Sequence, residues 1–159
     1  MKHGRRAGFS FIELAASLAI MATLLLIAVP TAMTVTQRHQ EAELRTALIT
    51  LRQAIDAYKK DADHGRIAVA AGASGYPPDL DALVEGVDDI STPERRKIYY
   101  LRRVPADPFF TGSESEPTLT WGLRSYQSPP DEPAAGDDVF DVYSTSTATG
   151  LNGVPYRDW

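Results

Sequence analysis

An apolar run from Phe9 to Val35 opens the chain, and Glu13 is its only charged side chain. Because about 20 apolar residues suffice for a helix to cross a bilayer, the run predicts a transmembrane helix over residues 9–35. A carboxylate inside such a segment costs roughly 2.5–3.5 kcal/mol on insertion scales, which makes Glu13 a candidate functional residue. After Val35 the pattern turns polar. Leu44, Leu48, Leu51, Ile55 and Tyr58 then recur at intervals of 4, 3, 4 and 3, one face of an amphipathic helix that should end near Asp61–Gly65. Glu41 and Arg45 stand four apart, as a helix-surface ion pair requires. Pro30 lacks the N–H owed to Leu26 and predicts a kink or a weakened ladder.

Beyond the helix the periodicity shortens. A small Gly/Ala-rich stretch, 65–75, reads as loop; Pro77-Pro78-Asp79 introduces a short helix over Asp79–Glu85, ended by Gly86. Strands are expected at Lys97–Arg102, Thr120–Gln127 and Val139–Ser144, each bounded by Pro, Gly or Ser clusters. The expected fold class is α+β: a long N-terminal helix, half membrane and half amphipathic, packed on one small antiparallel sheet.

With 23% charged and 43% hydrophobic residues, the 159-residue chain has the composition of one globular domain plus an anchor. Its net charge of −5 gives no support to nucleic-acid binding. Without cysteine it has no disulfide, thiolate metal site or thiol nucleophile. Lys2, Arg5 and Arg6 precede the apolar run, and positive flanks stay cytoplasmic, so the segment from Glu43 onward is expected outside the inner membrane. An ordinary secretory signal fits poorly, because the run is long, carries Glu13 and lacks a small-x-small cut site before the polar segment.

Gly8-Phe9-Ser10-Phe11-Ile12-Glu13-Leu14, behind that basic flank, resembles the leader and cleavage site of the type IV pilin and pseudopilin superfamily. The resemblance implies a cleaved leader of residues 1–8, cutting after Gly8, N-methylation of Phe9, and Glu13 and Pro30 as assembly residues. Removing the leader would take the net charge from −5 to −8. Farther on, Tyr76-Pro77-Pro78, Asp107-Pro108, Trp121-Gly122, Asp141-Val142-Tyr143-Ser144 and Trp159 follow in an order similar to major pseudopilins of type II secretion systems. The stretch Phe109–Leu119 is longer than that pattern, as in a diverged member.

The implied role is structural: residues 36–159 form a periplasmic domain whose subunits leave the inner membrane for a helical filament that drives protein export. The implied partners are other copies of the chain, a prepilin peptidase that also methylates, minor pseudopilins, and an inner-membrane platform with its ATPase. A type IV pilin or minor pilin is the alternative, and a monomeric membrane-anchored binding module the competitor from another class.

No phosphate loop, zinc motif or nucleophile elbow is present, so no catalytic residue and no cofactor are expected. Related pseudopilins hold a structural calcium in the loop after the tyrosine-serine strand. Here that loop, Thr145–Gly153, has no carboxylate, so calcium is disfavoured unless Asp137, Asp138 or Asp141 folds back. The expected anchors are the loop's own hydrogen bonds and burial of Tyr156 and Trp159. Arg95, Arg96, Lys97, Arg102 and Arg103 form a basic cluster, and Asp131, Glu132, Asp137, Asp138 and Asp141 an acidic one. These are either two solvated faces or surfaces that meet across subunits.

Overall fold

A computed structural model describes residues 10–113 and 115–159, with the side chains of 25–33 outside the description. The element order is α1 (Phe11–Asp63), α2 (Ala82–Glu85), β1 (Val87–Asp88), β2 (Lys97–Ile98), β3 (Trp121–Arg124) and β4 (Asp141–Ser144), with short 3-10 turns at Pro117–Thr120 and Tyr156–Asp158. The chain divides into two compact units, one up to His39 and one from Gln40 to Trp159.

In the first unit, Ser10 starts the helix by accepting the amides of Glu13 and Leu14 on its carbonyl. Ser17 and Thr23 turn their hydroxyls back onto the carbonyls of Glu13 and Ile20. The expected transmembrane segment over 9–35, and the single-pass inner-membrane location that followed from it, are corrected. Among the described residues no helix is long and apolar enough to cross a membrane.

In the second unit the apolar stripe of α1 becomes the core. Leu44, Leu48, Leu51, Ile55 and Tyr58 are buried, joined by Ala47 and Ala54 on the same face and by Leu80, Leu83, Val139 and Val142 from the rest of the unit. At 1.5–3 kcal/mol for each large side chain buried, this stripe is the main favourable term organising the unit. The helix stops where Gly65 takes φ 68°, a conformation that side chains with a Cβ resist, and Arg66 donates its amide to the Asp61 carbonyl.

The single small sheet expected is corrected to two separate antiparallel pairs, β1–β2 and β3–β4. Each pair ends early because its next backbone donors are used elsewhere. Past β2, Tyr100 and Leu101 both donate to the Leu83 carbonyl at the end of α2; past β3, Ser125 donates to Ala134. The strands expected at Lys97–Arg102 and Thr120–Gln127 thus shorten to Lys97–Ile98 and Trp121–Arg124. In the second pair Gly122 lies opposite Tyr143, whose ring covers it and leaves no room for a Cβ at 122.

Candidate functional site

Of the residues singled out for processing and assembly, Gly8 and Phe9 lie outside the described residues, and so does the side chain of Pro30, which falls within α1. Glu13 occupies the first turn of α1, is exposed, and makes no side-chain hydrogen bond or ion pair with the described residues. Around it Phe11, Ile12, Leu14, Leu18, Ile20, Met21 and Leu24 are all more than half exposed, Phe11 at 87%. An apolar helical surface of this extent, with one carboxylate in it, is the first candidate site.

The second lies in the globular unit, where the ordered motifs converge. Asp107 is 4% exposed and accepts the Ser144 hydroxyl at 2.5 Å and the Phe109 amide at 2.8 Å. Its own amide donates to Thr120 Oγ1 at 3.0 Å, and Thr120 in turn donates to the Pro117 carbonyl. Trp121 Nε1 donates to the Pro105 carbonyl at 2.7 Å. The aspartate-proline turn, the tryptophan-glycine strand and the serine closing β4 therefore form one buried polar knot. Ser144 is fully buried against Asp107, so this acid–hydroxyl pair is closed to any substrate.

Next to the knot, the loop after β4 is held from α1. Glu41, 8% exposed, accepts the Leu151 amide at 2.7 Å and the Tyr156 hydroxyl at 3.0 Å, both on Oε1. Arg45, one turn on, lies over the Trp159 ring at 4.6 Å. Of the helix-surface pair expected for these residues, Glu41 is turned inward while Arg45 stays exposed, and each serves the loop. Arg52 completes the clamp, donating to Asp141 Oδ1, to the Trp159 carbonyl and to the Val142 carbonyl. Tyr156 stacks on Phe109 with ring centres 3.9 Å apart, which gives the long stretch after Asp107-Pro108 a packing role. The loop adds its own bonds, Gly150 amide to Val154 and Tyr156 amide to Ala148.

Among the described residues no group of three or more His, Cys, Asp or Glu side chains comes together to hold a metal ion. Asp138 and Asp141, the alternative charge donors for the loop, are engaged elsewhere. Asp138 accepts the Ser125 hydroxyl and the Tyr126 amide, and Asp141 pairs with Arg52. Burial works against the Asp138 charge, yet hydrogen bonds from Ser74, Tyr126 and Ser125 hold its carboxyl below the ordinary aspartate value. Bonds from Ser91 and Arg66 hold Asp89 low in the same way. Burial, with a hydrogen bond donated to Asp61, pushes the Tyr100 phenol above its usual value. Arg66 bridges Asp61 and Asp89, tying the end of α1 to the β1–β2 pair.

Sequence reasoning missed Glu41 and Arg52 as anchors. Their signal was faint: both stand on polar helix positions whose partners lie about a hundred residues away. Comparison with protein families, with curated proteins and with solved structures returns no match.

Proposed function

We propose that this chain is a structural, self-assembling subunit of the pseudopilin kind, serving protein export through a type II secretion system. The observation that carries the reading is the exposed apolar surface of α1 from Phe11 to Leu24, with Glu13 set into it. Exposed apolar surface of that extent marks an interaction site, and each large side chain covered contributes about 1.5–3 kcal/mol. Copies of the same helix are the partners that fit: packed side by side they bury the surface.

Glu13 then decides register. A row of unpaired carboxylates in an apolar filament core is costly, so each needs a cation. Once a leader is removed after Gly8, the Phe9 amine of a neighbouring copy supplies one, since Phe9 stands only four residues before Glu13 in the sequence. The role is mechanical rather than catalytic. Its partners are a prepilin peptidase that also methylates Phe9, an assembly platform with its ATPase, and minor pseudopilins. The buried polar knot and the Glu41 anchor serve this role by keeping the globular unit rigid under load. Glu41 brings to the loop the negative charge that its own residues lack, so the loop folds without calcium.

Sedimentation and electron microscopy of the full-length protein test the reading. Wild type is expected to form pelletable filaments, and Glu13→Ala, with its globular unit intact by circular dichroism, to lose at least ten-fold in filament yield. A wild-type protein that stays monomeric at high concentration overturns self-assembly; normal yield for Glu13→Ala overturns the pairing.

A further inference from the structure

The two charge clusters do not survive folding whole. Lys97 leaves the basic set, because its ammonium donates to the carbonyls of Glu85 and Gly86 at the end of α2. Asp138 and Asp141 leave the acidic set, the first to Ser125 and Tyr126, the second to Arg52. Arg95, Arg96, Arg102 and Arg103 remain, all exposed, and none makes a side-chain hydrogen bond or ion pair among the described residues. Elsewhere in the unit Arg52, Arg66 and Arg124 each reach a partner. On the acidic side Asp131, Glu132 and Asp137 remain, equally exposed and unpaired among the described residues.

Both surfaces ride on pinned backbone. The acidic loop is closed by the Ser125 amide on Ala134 and by the Ala134 amide on Ser128 Oγ, with Asp138 anchored behind it. The arginine segment is held by the Asp89 amide on the Arg96 carbonyl and, before Arg102, by Tyr100 and Leu101 on Leu83. With the backbone already fixed, only side-chain freedom is lost when the opposite charges meet.

We propose that the Arg95–Arg103 surface of one copy receives the Asp131–Asp137 loop of the next copy, an inference that rests on the self-assembly reading. The occupant follows from charge. The chain as a whole is acidic, at −5, so copies repel unless a basic surface meets an acidic one. Guanidinium groups form two parallel hydrogen bonds with carboxylates, which gives direction as well as attraction. Engaged by two different neighbours, the two surfaces of a copy make a heterologous contact, and repetition extends the assembly beyond two copies; a reciprocal pair, basic surface to acidic loop in both directions, would close at the dimer and give no higher species. The contact thus adds polarity to an assembly that apolar burial along α1 alone would leave undirected.

The test uses the natural absence of cysteine. Full-length protein carrying Arg103→Cys and Glu132→Cys is oxidised and run without reductant, beside a protein carrying Met21→Cys on α1. The expected result is a ladder of dimers, trimers and higher species for the first, weakened by 0.5 M salt, which shortens the reach of exposed charges to a few ångströms. Arg102→Glu with Glu132→Cys and Arg103→Cys should cut the ladder at least ten-fold, and adding Asp131→Arg should restore it. Crosslinking through Met21→Cys without a 103–132 ladder overturns this contact and leaves self-assembly standing; no crosslink in either protein overturns both. A ladder indifferent to salt and to Arg102→Glu also overturns it.

Discussion

Glu41→Ala is the perturbation that tests the anchoring of the last loop most directly. One carboxylate oxygen accepts the Leu151 amide at 2.7 Å and the buried Tyr156 hydroxyl at 3.0 Å. Hydrogen bonds to a charged acceptor contribute about 1.5–3 kcal/mol each, and a buried donor left without a partner costs about 1–3 kcal/mol. The two donors share one oxygen, and Leu151 is itself exposed enough to recruit water, so the losses do not add fully. We expect a loss of about 3 kcal/mol for Glu41→Ala and about 1–1.5 kcal/mol for Glu41→Gln, which keeps an acceptor but not the charge. For a unit of this size 3 kcal/mol lowers Tm by roughly 10 °C. The assay is urea unfolding followed by tryptophan fluorescence, since Trp159 sits in the affected region under Arg45. Hydrogen exchange at the Leu151 amide should speed up in Glu41→Ala more than exchange in the β3–β4 pair. Wild type is expected to unfold at the same temperature in calcium and in chelator. Glu41→Ala within 0.5 kcal/mol of wild type would refute the anchor, and a rise of several degrees with micromolar calcium would refute the calcium-free loop.

Two further outcomes follow from the buried carboxylates. Asp107→Ala strands the Ser144 hydroxyl and the Phe109 amide and should cost about 3–5 kcal/mol, while a double-mutant cycle of Asp107→Asn with Ser144→Ala should show coupling of at least about 1 kcal/mol; additive losses would break the polar knot as described. Asp138 and Asp89 have folded-state values below the ordinary aspartate pKa, so their contribution is complete above about pH 5 and drains away as pH falls through the folded values. Stability should therefore drop between about pH 5 and pH 2, and Asp138→Asn should flatten the slope; an unchanged slope counts against the assignment.

What the sequence made legible was local. The stripe Leu44, Leu48, Leu51, Ile55 and Tyr58 reads as a buried face from spacing alone, because helical periodicity is a property of neighbours on the chain, and those five residues are buried. The end of α1 and the break at Gly86 were legible for the same reason. Strand extents were not. Whether Tyr100 continues a ladder or donates to the Leu83 carbonyl depends on where α2 docks, which no short window contains. The apolar run failed as a guide differently. Its length in sequence met the requirement for a span, while the described part of α1 does not.

The functional residues divide along the same line. Asp107, Trp121, Gly122 and Ser144 stood out as motifs, yet nothing in their spacing says that they share one knot; that takes the pairing of β3 with β4, which sets Trp121 opposite Ser144. Glu41 shows the limit most sharply. On the helix alone its best use was a surface pair with Arg45, worth about 0.2–0.5 kcal/mol. A bond from a buried hydroxyl and another from a backbone amide, both to its charge, are worth several times more, so the tertiary partners win the side chain once the loop arrives. The same reasoning ranks the arginines. Arg52 is drawn in by three acceptors on β4 and Trp159, whereas Arg102 and Arg103 find no acceptor among the described residues. A charge that folding leaves unpaired on a fixed support is what a second copy can still use.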